Sequence, residues 1–171
     1  MKITSNVDTV ITQLRQYRNN LNEKIHTMLE RLAEIGVDTA AVKFQTAQYD
    51  GDNDVVVNEP EWLSDTQLLI SATGSSVTFI EFGTGVHYTE QHPKAAEVGA
   101  LRGEYGKGHG SRDVWGYYGN PGTNGVVRKT VEGKGSLVLT HGNPPSRALY
   151  DAGKEMRERI VEIATEVFRN D

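Results

Sequence analysis

Two short segments of the sequence carry side chains at spacings that could bind a metal ion. The first, DGDNDVVVNEPE, places Asp50, Asp52, Asp54 and Glu61 at the first, third, fifth and twelfth positions of a calcium-binding loop. Its sixth position is Val55, where such a loop needs glycine for its sharp turn, and the residues after it are typical of a strand. We therefore favour a solvated acidic turn over a calcium site.

The second segment has the pattern H-x-x-E-x-H, formed by His87, Glu90 and His92. Related zinc-protease motifs work because a helix stacks their ligands on one face. Pro93 follows His92 at once, which indicates a loop. We therefore expect surface or interface residues here, with a metal site as the less favoured interpretation.

Other common catalytic chemistry has no support in the sequence. The chain has no cysteine, which excludes thiol catalysis and thiolate metal ligands, and it lacks the G-x-S-x-G pattern of a serine nucleophile. Neither FIEFGTGVHY nor GEYGKGHGSR has the glycine spacing of a phosphate-binding loop or of a dinucleotide fingerprint. The net charge of -5 also provides no basic excess for stable DNA binding. We expect a protein without enzymatic activity and without a cofactor.

The N-terminal segment has apolar residues at helical spacing from Val7 to Ile35. Ser5 is a candidate N-cap and Gly36 a candidate C-terminal residue, so the pattern predicts a long helix that ends at Gly36. A short second helix is predicted in VDTAAVKFQTAQ. The stripe of about four heptads is longer than one small sheet can cover, so part of it could pack on another helix or another subunit. Packing within the chain is the favoured interpretation.

The middle of the chain is predicted to be β structure. Residues 54–59 and 67–73 have the composition of strands, and Gly74 with Ser75 could form a two-residue hairpin turn. The next segment, SVTFIEF, is either a strand or a short helix, because its apolar residues satisfy both periods.

FIEFGTGVHY is predicted to be a structural corner formed by Glu81, Phe82, Gly83, Thr84 and Gly85. The two glycines would let the chain leave an apolar element through positive φ angles or a close backbone approach. Glu81 would accept hydrogen bonds from the turn or pair with a base such as Arg147.

The region from 99 to 142 contains twelve of the eighteen glycines. Between residues 86 and 136 the charge is +2, whereas the rest of the chain carries -7. Trp115, Tyr117 and Tyr118 in such a glycine-rich excursion favour a contact surface over a linker. VVRKTV and SLVLTH, on either side of Gly133, are predicted to form a hairpin.

The last segment has an apolar stripe at helical spacing that runs to the end of the chain. Asn143 is a natural N-cap and Pro144 suits the first helical position, so a helix is predicted from there onward. The whole chain is then predicted to be a single α+β domain. Its parts are N-terminal helices in 1–48, a small mostly antiparallel sheet with a long glycine-rich excursion in 54–142, and a C-terminal helix in 143–171.

The sequence shows neither a signal peptide nor a transmembrane segment. The start, MKITSNVDTV, has no apolar core of the required length, and no segment approaches the roughly 20 apolar residues that span a bilayer. We therefore expect production and folding in a cytoplasm.

Three motifs together resemble the tail-component family of long-tailed bacteriophages and prophages, whose members are neck or tail-completion proteins. They are FIEFGTGVHY, WGYYGNPGTNG and THGNPPSRALYDAGKEMRERI, and the resemblance spans most of the chain. It implies a long N-terminal helix, an E-F-G-T corner, a proline-led entry and a C-terminal helix, with SVTFIEF as a short helix that ends at Gly83. Pro144-Pro145-Ser146-Arg147 matches the family's entry pattern only in part, and the glycine-rich excursion is longer than in compact members.

The resemblance implies a structural virion protein that acts as a head–tail connector or completes the tail. Similar proteins form rings, six-fold or twelve-fold, which contact neighbouring neck and tail proteins and let DNA pass without specific binding. Such a protein is assembled in the host bacterial cytoplasm and becomes part of the virion. Trp115, Tyr117, Tyr118 and Arg147 are the candidate assembly contacts, and Trp115→Ala is expected to weaken association more than folding.

Two other functions are compatible with the sequence. One is a metal-dependent virion or cell-wall hydrolase that would use His87, Glu90 and His92. The other is a solitary regulatory binding module.

Overall fold

Two long helices and several short strands form the α+β fold predicted from the sequence. The computed structural model describes residues 6–88, 90–104 and 112–169. The helices are α1 (Val7–Gln45), α2 (Val77–Phe82) and α3 (Ala148–Arg169), and a 3-10 turn spans Ala96–Val98. The strands are β1 (Val56–Val57), β2 (Glu61–Ser64), β3 (Gln67–Leu69), β4 (Ala72–Thr73), β5 (Trp115–Tyr118), β6 (Val126–Val131) and β7 (Gly135–Thr140).

Helix α1 is one continuous helix of 39 residues, so the predicted end at Gly36 and the separate second helix are wrong. Gly36 serves close packing instead of a C-terminal turn. A Cβ atom there would lie 2.5 Å from Cδ1 of Ile70 and 2.8 Å from Sδ of Met156. Asn6 precedes the first turn without a side-chain capping hydrogen bond, and the predicted cap Ser5 lies outside the described residues.

Helices α1 and α3 pack antiparallel. At one end, Leu32 of α1 contacts Ile163 and Val167 near the end of α3. At the other end, the core contains Ala40 and Phe44 of α1 with the start of α3. Helix α3 therefore covers the apolar face of α1 from about Met28 to Phe44. Within the described ranges, no helix is both long and apolar enough to cross a membrane.

The first half of the predicted β region is only partly stranded. Strands β1 and β4 pair antiparallel over two residues each, and β2 and β3 form an additional hairpin that the sequence did not indicate. SVTFIEF forms helix α2, so the helical alternative is confirmed and the hairpin turn at Gly74 and Ser75 is wrong. The Asp54 carboxylate accepts the N–H groups of Ser75 (2.7 Å) and Ser76 (2.9 Å), which directs the chain into the helix.

The glycine-rich region contains a three-stranded antiparallel sheet with the order β5-β7-β6. The predicted hairpin is confirmed as β6 and β7, but residues 115–118 form a strand where the sequence suggested a loop. Residues 105–111 of this region lie outside the described ranges.

Candidate functional site

The segment before α3 does not form the predicted helix start. The helix begins at Ala148, and Arg147 has a positive φ of 55°. Asn143 is buried, and its amide oxygen accepts the N–H of Asp50 (3.0 Å). Asn143 therefore joins two loops and does not cap the helix.

Glu81 provides the cap of α3 from a distant part of the sequence. Its Oε2 atom accepts the N–H of Leu149 at 2.9 Å, and its Oε1 atom accepts the N–H of Tyr150 at 3.0 Å. These N–H groups belong to the first turn, where a helix has no internal acceptors for them and carries partial positive charge. Glu81 is only 3% exposed, so this cap is a buried charged contact between α2 and α3.

His92 completes the hydrogen bonding of Glu81. Its Nε2 atom lies 3.2 Å from Oε1 of Glu81, and its Nδ1 atom accepts the N–H of Lys94 at 3.0 Å. Since Nδ1 accepts, the ring proton is on Nε2 and is donated to the carboxylate. The ring also packs edge-on against Phe82, with 4.3 Å between ring centroids. His92 is only 4% exposed, so the prediction of a surface or interface residue is wrong for it.

The three residues considered for zinc do not form a ligand set. Both ring nitrogens of His92 have partners in the protein, whereas His87 is exposed, with Nε2 3.8 Å from a carboxylate oxygen of Asp113. Glu90 is also exposed, with a φ of 79°. The suggested pairing of Glu81 with Arg147 is replaced by a backbone contact, in which the N–H of Arg147 donates to the Glu81 carbonyl oxygen.

The glycines of the corner allow two chain segments to cross. Gly83 and Gly85 have φ angles of 79° and 82°, so the predicted positive angles are confirmed. A Cβ atom on Gly83 would lie 2.8 Å from the carbonyl oxygen of Asn143, and one on Gly85 would lie 2.6 Å from that of His141. Between them, the N–H of Thr84 donates to the carbonyl oxygen of Asn143 at 2.8 Å. The corner is therefore a tight backbone junction.

The carboxylates of the acidic segment accept hydrogen bonds from separate parts of the fold and do not converge on one point. Asp50 is buried, where it accepts the N–H of Asn124 (3.1 Å) and the hydroxyl of Thr140. Asp52 accepts the side-chain amide of Asn120 at 2.8 Å. In the described part of the chain, no group of three or more His, Asp or Glu side chains could hold a metal ion.

Asp54 is an acidic residue of this segment whose pKa is strongly lowered by its surroundings. It accepts hydrogen bonds from the hydroxyl and backbone N–H groups of both Ser75 and Ser76. The Ser76 hydroxyl, followed by the bonds from Ser75, holds the pKa of Asp54 well below its usual range. The negative charge of Asp54 therefore contributes to the stability of the fold.

The three aromatic residues predicted as one contact surface lie on two faces of β5. Trp115 pairs with Thr140 and Tyr117 with Val138, and both partners are buried, so these two aromatics face inward. Burial, and then the negative charge of Asp50, raises the pKa of Tyr117 to about 12. Tyr118 lies on the opposite face and is 47% exposed.

The N-terminal part of α1 extends beyond the end of α3. All residues from 6 to 20 are exposed, including five large apolar side chains that we call the uncovered stripe. They are Val7 (53%), Val10 (49%), Ile11 (40%), Leu14 (61%) and Tyr17 (68%). At about 3.6 residues per turn, they share one side of α1 with Met28 and Leu32, which pack against α3. Helix α3 ends with Phe168 close to Lys24, and the apolar face continues past it for about 20 Å.

Sequence reasoning missed one buried contact of the corner and gave an incomplete account of the apolar stripe of α1. No sequence pattern indicated the pairing of Glu81 with His92, because the two residues are eleven positions apart and share no regular period. The length of the apolar pattern did indicate that part of it could lie outside the core, but the favoured interpretation, packing within the chain, is wrong for Val7 to Tyr17, because α3 ends before it reaches them.

Comparisons of the chain with protein-family models, with curated proteins and with solved structures find no match. Its function is therefore inferred from the residues and their geometry.

Proposed function

We propose that the protein is a structural component of the neck or tail of a long-tailed bacteriophage or prophage, in which copies of the chain form a closed ring. The observation that carries this proposal is the uncovered stripe of α1. The resemblance of the E-F-G-T corner and the proline-led entry to tail-component proteins supports the same function.

The uncovered stripe has the chemistry of a protein interface. Fully burying one large apolar side chain contributes about 1.5 to 3 kcal/mol, so five of them offer several kcal/mol for association. Soluble monomers seldom expose a continuous apolar patch of this kind without a partner. A closed ring requires each subunit to present two different matching surfaces, and the stripe is one of them.

The polar groups favour a structural role over a hydrolytic one. Glu81, His92, Asp50 and Asp54 all use their side chains in contacts that join elements of the fold. A hydrolase based on His87, Glu90 and His92 would need them to converge on one ion, and the ring nitrogens of His92 already have partners. The net charge of -5 is suited to a ring through which DNA passes without binding.

The proposal is tested on purified particles. Quantitative mass spectrometry of virions should find the chain at a fixed ratio to the other structural proteins, corresponding to six or twelve copies per particle. Labelling with an antibody and electron microscopy should place it at the neck or tail. Absence of the chain from purified virions would refute the proposal, whatever the behaviour of the isolated protein.

A further inference from the structure

Two chemically reactive residue pairs meet at one junction of the fold. Asn124–Gly125 is the only Asn–Gly pair in the sequence, and Asp50–Gly51 is the only Asp–Gly pair. The structure brings them together, because the N–H of Asn124 donates to a carboxylate oxygen of Asp50 at 3.1 Å. In such pairs the glycine nitrogen can attack the preceding side-chain carbonyl carbon and close a succinimide ring. Glycine favours this closure because it has no side chain that would hinder the approach.

Asp50 is protected from this reaction by its contacts. It is only 7% exposed, and its two carboxylate oxygens accept the N–H of Asn124 and the hydroxyl of Thr140. Both oxygens are therefore fixed by donors from distant parts of the chain. The side chain cannot turn toward the nitrogen of Gly51 while these contacts are intact.

Asn124 has the opposite environment. Its side chain is exposed, and its contact with Asp50 uses the backbone N–H instead of the side-chain amide. The junction therefore leaves this amide free to rotate toward Gly125. The reacting nitrogen of Gly125 donates its proton to the carbonyl oxygen of Pro121 at 2.9 Å, so it becomes available when this turn opens.

Packing explains why a glycine follows Asn124. A Cβ atom at position 125 would collide with the carbonyl oxygen of Pro121 and would lie 2.5 Å from Cγ1 of Val138. Val138 is fully buried in strand β7, so it has no room to move away. The glycine thus allows the loop to pack closely on the sheet, and the same residue makes position 124 reactive.

We propose that Asn124 is a site of spontaneous deamidation in the folded protein, controlled by opening of the loop at 119–125. The nitrogen of Gly125 forms a bond to Cγ of Asn124, and the side-chain nitrogen leaves as ammonia, which takes up the proton of that N–H. Water then opens the succinimide at either of its carbonyl groups. The product at position 124 is aspartate or isoaspartate.

The two products affect the junction differently. Aspartate keeps the backbone and adds one negative charge at an exposed position. Isoaspartate routes the main chain through the former side chain, which inserts a methylene group between the N–H groups of residues 124 and 125. Their bonds to Asp50 and Pro121 then no longer fit together, so isoaspartate should loosen the loop.

The reaction is followed by peptide mapping with mass spectrometry on the full chain, aged for weeks in mildly alkaline buffer. We expect Asn124 to lose its amide while the other asparagines, none of which precedes a glycine, keep theirs. A sample unfolded in urea is the reference. It should convert Asn124 faster, because the turn that holds the nitrogen of Gly125 is absent.

Thr123→Val tests whether opening of the loop controls the rate. The Thr123 hydroxyl accepts the N–H of Tyr49 at 2.8 Å and donates to its carbonyl oxygen at 3.2 Å, which ties the loop to the rest of the fold. The variant removes this tie at an exposed position, so deamidation of Asn124 should become several-fold faster relative to the same variant in urea. Thr130→Val removes an exposed hydroxyl from β6 and is the matched control, for which the rate should not change.

Asn124→Asp separates charge from backbone. The isoaspartate fraction of the aged protein, isolated by ion exchange, should unfold at a lower urea concentration than Asn124→Asp, because only isoaspartate alters the main chain. Asn124→Gln should show no conversion at this position, since glutamine would have to close a larger ring.

Three results would overturn the inference. They are an Asn124 amide that stays intact in the folded protein after the urea-unfolded sample has converted, a Thr123→Val variant that reacts at the wild-type rate, and an isoaspartate fraction as stable as Asn124→Asp. None of them depends on ring formation or on the presence of the chain in virions.

Discussion

The side chains of the corner at Glu81 and those of the N-terminal part of α1 have opposite roles. The corner contains a carboxylate, an imidazole and two glycines in a short stretch, yet all of them are used to hold α2, α3 and a loop together. The uncovered stripe contains only ordinary apolar residues, and none of them is needed to bury the core. Glu81 and His92 serve the fold, whereas the apolar residues of the uncovered stripe lie on the surface that the proposed function would use.

The largest effect on stability is expected for Gly83→Val. The substitution combines a φ of 79° with a Cβ atom 2.8 Å from the carbonyl oxygen of Asn143. Backbone strain and overpacking each cost about 1 to 3 kcal/mol, so we expect a loss of about 4 kcal/mol, measured by urea denaturation.

Gly133→Val is the matched control for this prediction. Its φ is 75°, but nothing lies within 4 Å of the added Cβ atom. It should cost only the backbone strain, about 1 to 2 kcal/mol. Equal effects of the two variants would mean that the crossing of chains at the corner is not important.

The second effect concerns the cap of α3. Glu81→Ala leaves the N–H groups of Leu149 and Tyr150 and the Nε2–H of His92 buried without an acceptor. Removing one partner of a fully buried charged contact costs at least about 3 kcal/mol, and we expect about 3 kcal/mol here because Leu149 and Tyr150 are only half-buried. Thermal unfolding should show the loss.

Glu81→Gln keeps one acceptor oxygen and should lose less stability than Glu81→Ala. Glu162→Ala, at an exposed position on α3, should be nearly neutral. If Glu81→Ala were also neutral, the buried cap would not contribute to folding.

The third prediction is that substitutions of Trp115 and Tyr118 affect different properties of the protein. Trp115 faces inward and lies against Gly85, so we now expect Trp115→Ala to lower the unfolding free energy by about 2 kcal/mol, less than for a fully buried ring. This reverses the expectation from the sequence, which assigned Trp115 mainly to association. Tyr118→Ala should instead weaken ring formation with little change in the urea midpoint. The opposite ranking of the two variants would contradict the assigned faces of β5.

The fourth effect is a dependence of stability on pH. The folded state holds the pKa of Asp54 below its unfolded value, so its contribution is present above the ordinary carboxyl pKa and is lost as the pH falls below it. The urea midpoint of the wild type should therefore fall between about pH 7 and about pH 3 by more than that of Asp54→Asn. Parallel curves for the two proteins would exclude this role for Asp54.

The smallest effect on stability is expected in the uncovered stripe. Tyr17→Asp should change the unfolding free energy by no more than about 0.5 kcal/mol, because the side chain is 68% exposed. The same variant should abolish ring formation in size-exclusion chromatography, whereas Gln16→Asp, on the other side of the helix, should leave it intact. A large loss of stability in Tyr17→Asp would place this segment in the core and remove the contrast between the two regions.

The sequence by itself determined the features that depend on neighbours along the chain. The apolar period predicted the long helix at each end, and the strand pattern around Gly133 predicted the hairpin of β6 and β7. The glycines at 83 and 85 predicted positive φ angles, since only a residue without Cβ adopts them readily.

Only the tertiary structure decided the features that depend on residues far apart. Gly36 continues a helix because Ile70 and Met156 need its space, and α3 starts at Ala148 because a carboxylate 68 residues earlier caps it. The end of α3 beside Lys24 likewise decides which part of the apolar face is core and which part is surface. The spacing of apolar residues along the chain shows which side of a helix is apolar. Whether that side is buried depends on the length of the element that packs against it.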